Sequence, residues 1–321
     1  MFNNPFEIFL LIAILTVVSI ILCKVSNNKS TFTNNSSISL LQWNTHYECF
    51  VKNTTDCCSK PLVAYLNKML PTVDFANLSM FEKTGYTPPS GYITIDQFSD
   101  KPAFECGYDI TTLIYNSNRW EAVGKPIYGC LITNDRAYII QQFKEKSAGS
   151  KPVYVIGSHW SHPAQGQSYP SDSTAALAKA LSDNNIHSTD RIILLADTND
   201  SFPDKPTPDY VLMNAILRGK AKHVQGTGPR HTCCCSDCPQ NNVHFPFTTD
   251  RIISNFGTGG NVQIPDLTDI FGSIAQCPPP KNPLLRSCVF GEMHKPVFWK
   301  ITPLKMKIPE NNLIYILEKY K

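Results

Sequence analysis

Arg191-Ile192-Ile193-Leu194-Leu195-Ala196-Asp197-Thr198-Asn199 is the stretch that decides the fold. Residues 192–196 form an unbroken apolar run, the pattern of a strand buried on both faces. Such a strand has no water along its length to hydrate a charge. Asp197 and Asn199 stand where it emerges, two residues apart, which on an extended backbone points both to one side. A carboxylate and a carboxamide placed together can hold a reacting group bound to metal or phosphate. The same two residue types also build Asx-type turns, so the reading depends on partners elsewhere in the chain.

Polar residues close or open other apolar segments in the same way. Asn44 follows Leu40-Leu41-Gln42-Trp43, and Glu82 follows the run 75–81. His159 follows 153–158, with His162 three residues on. Asp250 leads into Arg251-Ile252-Ile253, and His294 precedes Lys295-Pro296-Val297. Six such ends gathered at one rim of a sheet sandwich would make a site of carboxylate, carboxamide and imidazole. That set suits phosphodiester cleavage. Glu82 and Asn44 offer oxygen ligands to a hard cation such as Mg²⁺ or Mn²⁺. Asp197 and Asn199 can orient the attacking water. His159 and His294 can act on the phosphoryl group, with Asp250 holding His294. Arg136 and His162 are candidate substrate contacts. His187, His223 and His244 read as surface or structural histidines. No Gly-rich phosphate loop, His-Glu-x-x-His or Gly-x-Ser-x-Gly motif is present, which removes several rival chemistries.

The coarse reading along the chain is of mixed elements. Strands are expected at 38–43, 73–80, 108–115, 152–157, around 252–253 and at 297–304. Residues 135–143 read as strand or as the start of a helix. Helical spacing marks 60–70, 171–181 and 209–217, with a short helix at 266–274. The connections are too irregular for strict βαβ repetition, so mixed or antiparallel sheets flanked by helices are expected. No repeat at solenoid periods occurs.

Those segments resemble the endonuclease/exonuclease/phosphatase (DNase I-like) superfamily over about residues 38–303. Leu41-Gln42-Trp43-Asn44 is similar to the opening Trp-Asn motif, and Val73-Asp74-Phe75 leading to Glu82 to the strand that delivers a metal-binding Glu. Gly157-Ser158-His159-Trp160-Ser161-His162 resembles the His-x-x-His strand end, and Ala196-Asp197-Thr198-Asn199 the Gly-Asp-x-Asn motif. Thr249-Asp250-Arg251-Ile252 resembles the Asp-x-Ile strand, and Glu292-Met293-His294-Lys295-Pro296-Val297 the closing Ser-Asp-His-x-Pro-Val motif. The pieces occur in the family's order. The resemblance implies a four-layer α/β sandwich of two mixed, mostly antiparallel sheets, dependence on Mg²⁺ or Mn²⁺, and in-line attack of water on phosphorus. It departs from the pattern at Met293, where the family has Asp. A thioether serves a hard ion poorly, and a one-residue shift to Glu292 faces the other side of a strand.

Three functions follow from this pattern. The first is a metal-dependent phosphodiester hydrolase of DNase-like type acting on nucleic acid. The second is a phosphatase or lipid phosphodiesterase on the same fold. The third is a catalytically degenerate homologue that binds without turnover, which Met293 favours. No obligate protein partner is implied.

The chain has 321 residues, 42% hydrophobic and 17% charged, with a net charge of +3. That is the composition of a globular domain, with too little charge for binding nucleic acid or lipid by bulk electrostatics. Residues 9–23, FLLIAILTVVSIILC, carry no charge and read as a membrane anchor or signal segment within 1–24. A polar linker at 25–37 would join it, as a single-pass anchor, to the domain at 38–321; cleavage would instead yield a secreted protein. Lys24 and Lys29 favour a cytoplasmic domain by charge. Eleven cysteines beyond Cys23, and Asn-x-Ser/Thr sequons at Asn28, Asn34, Asn35, Asn53, Asn77 and Asn199, favour the lumenal or extracellular side. Outward placement is the expectation.

The cysteines lie in groups. Cys49, Cys57 and Cys58 suit a local bridge. Cys233, Cys234, Cys235 and Cys238 are expected to form disulfides with Cys277, Cys288, Cys106 or Cys130. Zinc at Cys235, Cys238 and His231 is the alternative, but a second well-spaced ligand pair is absent nearby.

Overall fold

The computed structural model describes residues 36–304 apart from 46–47, 52–58, 82–84, 97–105, 107–109, 133–134, 148, 162–170, 201–206, 229–231, 234–247, 266 and 268–293. Two six-stranded sheets carry the fold. The first has the order β11-β12-β1-β2-β4-β3 and the second β5-β6-β7-β8-β10-β9. In the first sheet the strands are β1 Ile38–Asn44, β2 Phe75–Ser79, β3 Tyr92–Asp96, β4 Thr111–Asn116, β11 Thr258–Gly259 and β12 Val297–Thr302. In the second they are β5 Trp120–Ile132, β6 Asp135–Glu145, β7 Val153–His159, β8 Arg191–Asp197, β9 Gln225–Gly226 and β10 Asp250–Ser254. Each sheet holds one parallel pair, β1 with β2 and β7 with β8; the other pairings are antiparallel.

The layers follow from period-two alternation. Ile38 and Leu40 of β1, Phe75 of β2, Val153 and Val155 of β7, Ile193 and Leu195 of β8, and Val297 of β12 meet in the core between the sheets. The alternate residues face outward. Leu41, Trp43, Ala76 and Leu78 pack against Leu62 and Leu66 of the helix Ser59–Met69. On the other sheet Ile156, Ile192, Leu194 and Ile253 pack against Leu177 and Leu181 of the helix Ser171–Asp183 and Leu212, Met213 and Ile216 of the helix Asp209–Ile216. Helix, sheet, sheet and helix make four layers, with a further short helix at Glu48–Val51. In chain order these helices are α1 (Glu48–Val51), α2 (Ser59–Met69), α3 (Ser171–Asp183) and α4 (Asp209–Ile216).

Residues 135–143 are strand and not helix, because β6 pairs with β5 along its length and with β7 over Tyr138–Phe143. The segment 73–80 is strand only over Phe75–Ser79; Met80 turns with φ +58° and Phe81 packs into the outer core against Phe50 and Tyr86. β2 therefore does not run straight to Glu82, which lies outside the described residues, as do His162, Met293 and the expected helix beyond Leu267. Among the described residues no helix is long and apolar enough to cross a membrane; residues 1–35 lie outside them.

Cys106 and Cys130 form a disulfide with each other, Cα atoms 5.5 Å apart. Neither is thus a partner for the 233–238 cluster, contrary to expectation, because β5 brings Cys130 beside the segment that leads into β4. Cys49 and Cys233 are also disulfide-bonded; Cys57, Cys58, Cys234, Cys235, Cys238, Cys277, Cys288 and His231 lie outside the described residues. Asn77 and Asn199 are buried, so the folded domain has no room for a glycan at either sequon.

Candidate active site

The strand directions bring the predicted residues to one rim. β1, β2, β7 and β8 end there, and antiparallel β10 and β12 begin there. Asn44 lies level with Ser79, His159 with Asp197, and Asp197 with Asp250. Trp43 Nε1 donates to the backbone oxygen of His294 at 3.0 Å, which fixes the entry to β12. Moving up the inter-sheet space, the inward positions change from apolar to polar at Gln42 and Asn77, with Gly157 against Asn77, and then reach the site.

Asp197 is fully buried. Its Oδ2 accepts from Asn44 Nδ2 at 2.7 Å and stands 3.4 Å from His159 Nε2 and 3.8 Å from His294 Nδ1. Its Oδ1 accepts from the backbone N–H of Asn199 at 3.0 Å. That last bond is an Asx turn. Asn199 is not on the strand but in the left-handed region, φ +49°, which Asn tolerates better than most residues. The turn and the site are the same object. It re-aims the carboxamide, whose Nδ2 lies 3.0 Å from His159 Nε2 and donates to Trp160 O at 2.9 Å.

Asp250 and His294 pair as predicted from their strands, Oδ2 to Nδ1 at 2.6 Å. Thr249 Oγ1 adds a donor to the same carboxylate oxygen at 3.2 Å. The other oxygen of Asp250 accepts from Gln42 Nε2 at 3.1 Å; Gln42 Oε1 accepts from Asn77 Nδ2 at 2.7 Å, and Asn77 Oδ1 from Thr111 Oγ1 at 2.8 Å. This buried chain joins the two sheets and fixes the face that Asp250 shows to His294. Gln42, Asn77 and Thr111 escaped the sequence reading. Their signal was present: Gln42 and Asn77 each interrupt an apolar run two residues before its polar end.

Arg136 lies against His159, with Nη1 2.7 Å from Nε2 and 3.0 Å from Nδ1. It too has positive φ, +58°, at the start of β6. Arg251 does not pair with its neighbour Asp250. Alternation turns it to the outer face, where it meets Asp200 and Asp209.

Asp197, Asp250 and His294 each offer one ligand atom, all within 4.8 Å of one another. The two carboxylates fit Mg²⁺ or Mn²⁺ by donor type, whereas the imidazole suits transition metals better than Mg²⁺. A cation held by all three would replace the Asp250–His294 hydrogen bond. Asn44 turns its amide nitrogen to Asp197. The position at the end of β2 level with Asn44 is Ser79, a hydroxyl.

No protein-family model and no curated protein matches the sequence. Solved structures match by fold. The human Nocturnin catalytic domain, determined with a bound sulfate anion, has a TM-score of 0.53 at 14% identity, over 84% of this chain and 95% of that one. An endonuclease/exonuclease/phosphatase from Bacteroides vulgatus has a TM-score of 0.53 at 12% identity, over 84% of this chain and 100% of the other. Truncated Caenorhabditis elegans TDP2 gives 0.53 at 12%, over 83% and 98%. The fold is that of the endonuclease/exonuclease/phosphatase superfamily.

Proposed function

We propose that the domain is a divalent-metal-dependent phosphodiester hydrolase acting on nucleic acid. The observation that carries this reading is the convergence of Asp197, Asn199, His159 and the Asp250–His294 pair at one rim. The sulfate in the human Nocturnin catalytic domain supports it, since a tetrahedral dianion resembles a phosphoryl group. Bound Mg²⁺ or Mn²⁺ would supply charge neutralisation at a phosphoryl oxygen, with Asn44 and Glu82 as its candidate holders, which leaves the Asp250–His294 hydrogen bond in place.

The chain's own residues divide the rest of the work. Asp197 orients a water and accepts its proton as the new oxygen–phosphorus bond forms. Asn199 and Arg136 supply N–H groups to the phosphoryl oxygens, where charge develops. His159 is fixed between them. Asp250 holds the ring of His294 so that it can stabilise the phosphoryl charge. The bond to the leaving ester oxygen breaks, that oxygen takes a proton from solvent, and Asp197 returns its own proton to solvent. The test is cleavage of DNA and RNA by the chain from Ser26, with Mg²⁺, beside Asp197→Ala. Abolished cleavage in the variant is expected; equal activity in both proteins sinks the mechanism. Sphingomyelin and inositol phosphates in the same assay test the lipid and phosphatase alternatives.

Two observations favour a second reading, binding without turnover. Ser79 stands where β2 reaches the rim, and Met293 precedes His294. If this is right, the wild type gives no turnover with Mg²⁺, unrescued by Met293→Asp; cleavage by the wild type rejects it. We also propose that residues 9–23 anchor the domain at a membrane, facing an oxidising compartment. The Cys106–Cys130 disulfide supports that placement.

A further inference from the structure

We infer that Arg251 is a positioning residue, which holds the Asp197–Asp200 turn in its site geometry through Asp200. The inference rests on the hydrolase reading only for its consequence for turnover.

β10 serves the turn from both of its faces. Asp250 points into the rim. Arg251, the next residue, points to the outer layer and is 0% exposed. Its Nη2 pairs with Asp200 Oδ2 at 2.8 Å, and its Nη1 lies 3.5 Å from Asp209 Oδ1 and donates to Thr207 O. Asp200 Oδ2 also accepts the backbone N–H of Thr207 at 2.7 Å. One guanidinium thus gathers the end of the Asp197–Asp200 turn, the residue two before α4, and the first residue of α4.

As a stabilising device the arrangement is poor. Two carboxylates face one guanidinium in a buried layer, and among the described residues Arg251 Nε and Asp209 Oδ1 have no hydrogen-bond partner. Buried ion clusters of this kind often add little to stability against an apolar replacement. What the cluster does provide is direction. Asn199 has φ +49°, and such a conformation persists only where its surroundings over-determine it. Thr198 is tied on one side, its N–H donating to Thr249 O at 2.7 Å. Asp200 ties the other side through Arg251. Asn199, between the two, has its carboxamide held toward His159.

The two carboxylates on Arg251 allow a clean contrast. Asp200→Asn and Asp209→Asn each leave one arginine and one carboxylate, so neither strands a buried charge. Only Asp200 belongs to the turn. Amide hydrogen exchange in the full-length protein reads the Asn199 N–H, which donates to Asp197. In Asp200→Asn it should exchange about tenfold faster or more, by local opening; in Asp209→Asn it should match the wild type. Unchanged protection in Asp200→Asn, or equal loss in both variants, overturns the inference. This readout needs no turnover, so an inactive wild type would reject the hydrolase reading and leave the positioning result standing. If the wild type cleaves nucleic acid, kcat should fall about tenfold or more in Asp200→Asn with KM held, as misplaced catalytic groups act.

Discussion

Asp250 has every oxygen assigned. His294 and Thr249 take one and Gln42 the other. Asp250→Asn keeps the shape but removes the charge and puts an N–H donor where an acceptor is needed. Turnover should fall on the order of 10²-fold or more, the scale set by a positioned acid–base group, with little change in the far-UV circular dichroism. At the same scale the sequence was informative about residue type and partly misleading about placement. The Asp197-x-Asn199 spacing suggested two side chains on one strand face. The chain instead leaves the strand after Asp197, and the left-handed Asn199 reaches His159 by a turn. Positive φ at an Asn leaves no mark in composition or periodicity.

Among the elements, buried strands were legible and edge strands were not. β8 is a continuous apolar run with a polar end, and β1, β7 and β10 carry shorter apolar runs beside one. β3 is exposed or half-buried along its whole length, and β5 breaks register between Val123 and Ile127. Neither shows an alternation strong enough to find in sequence. β9 and β11, two residues each, are set only by their neighbours. Gly157 shows how tightly the two sheets meet. A Cβ there would stand 2.3 Å from Asn77 Oδ1 and 2.6 Å from Leu113 Cδ2. Gly157→Ala should therefore cost about 1–3 kcal/mol by overpacking, read as a lower denaturant midpoint, and should loosen the Gln42–Asn77 chain. The disulfide is a second element-level constraint. It joins β5 to the approach to β4 across a sequence separation of 24. Cys106→Ser with Cys130→Ser should lower stability by about 3 kcal/mol by the loop-entropy argument, measured by chemical denaturation.

For the whole molecule, pH dependence of stability has one identifiable source in the outer layer. Burial pushes the Asp209 carboxyl above its ordinary 3.8, with Arg251 and the Gly228 N–H acting the other way. The folded protein then keeps this proton at a pH where the unfolded chain has lost it. Its contribution is fully favourable below the unfolded value and declines as pH rises through the folded one. Asp209→Asn should remove that decline. Its Tm relative to wild type should increase on going from about pH 4 to 7, and a constant difference across that range rejects the account. The far end of the sandwich is closed differently, by Arg119, which pairs with Asp74 before β2 and with Glu145 at the end of β6.

The sheet order has a consequence for how the site comes into being. All of the second sheet, β5 to β10, lies within 120–254, while the first is shared between 38–116 and 258–302. Its β12 is no edge strand; it sits between β11 and β1 and is led in by His294. During synthesis the second sheet can pair completely while the first still has a gap beside β1. The histidine partner of Asp250 arrives only with the strand that fills this gap. A ribosome-bound or truncated chain lacking β12 would thus expose a strand edge and have Asp250 without its imidazole. Closure of the fold and assembly of the site are one event, timed to the last of the described strands.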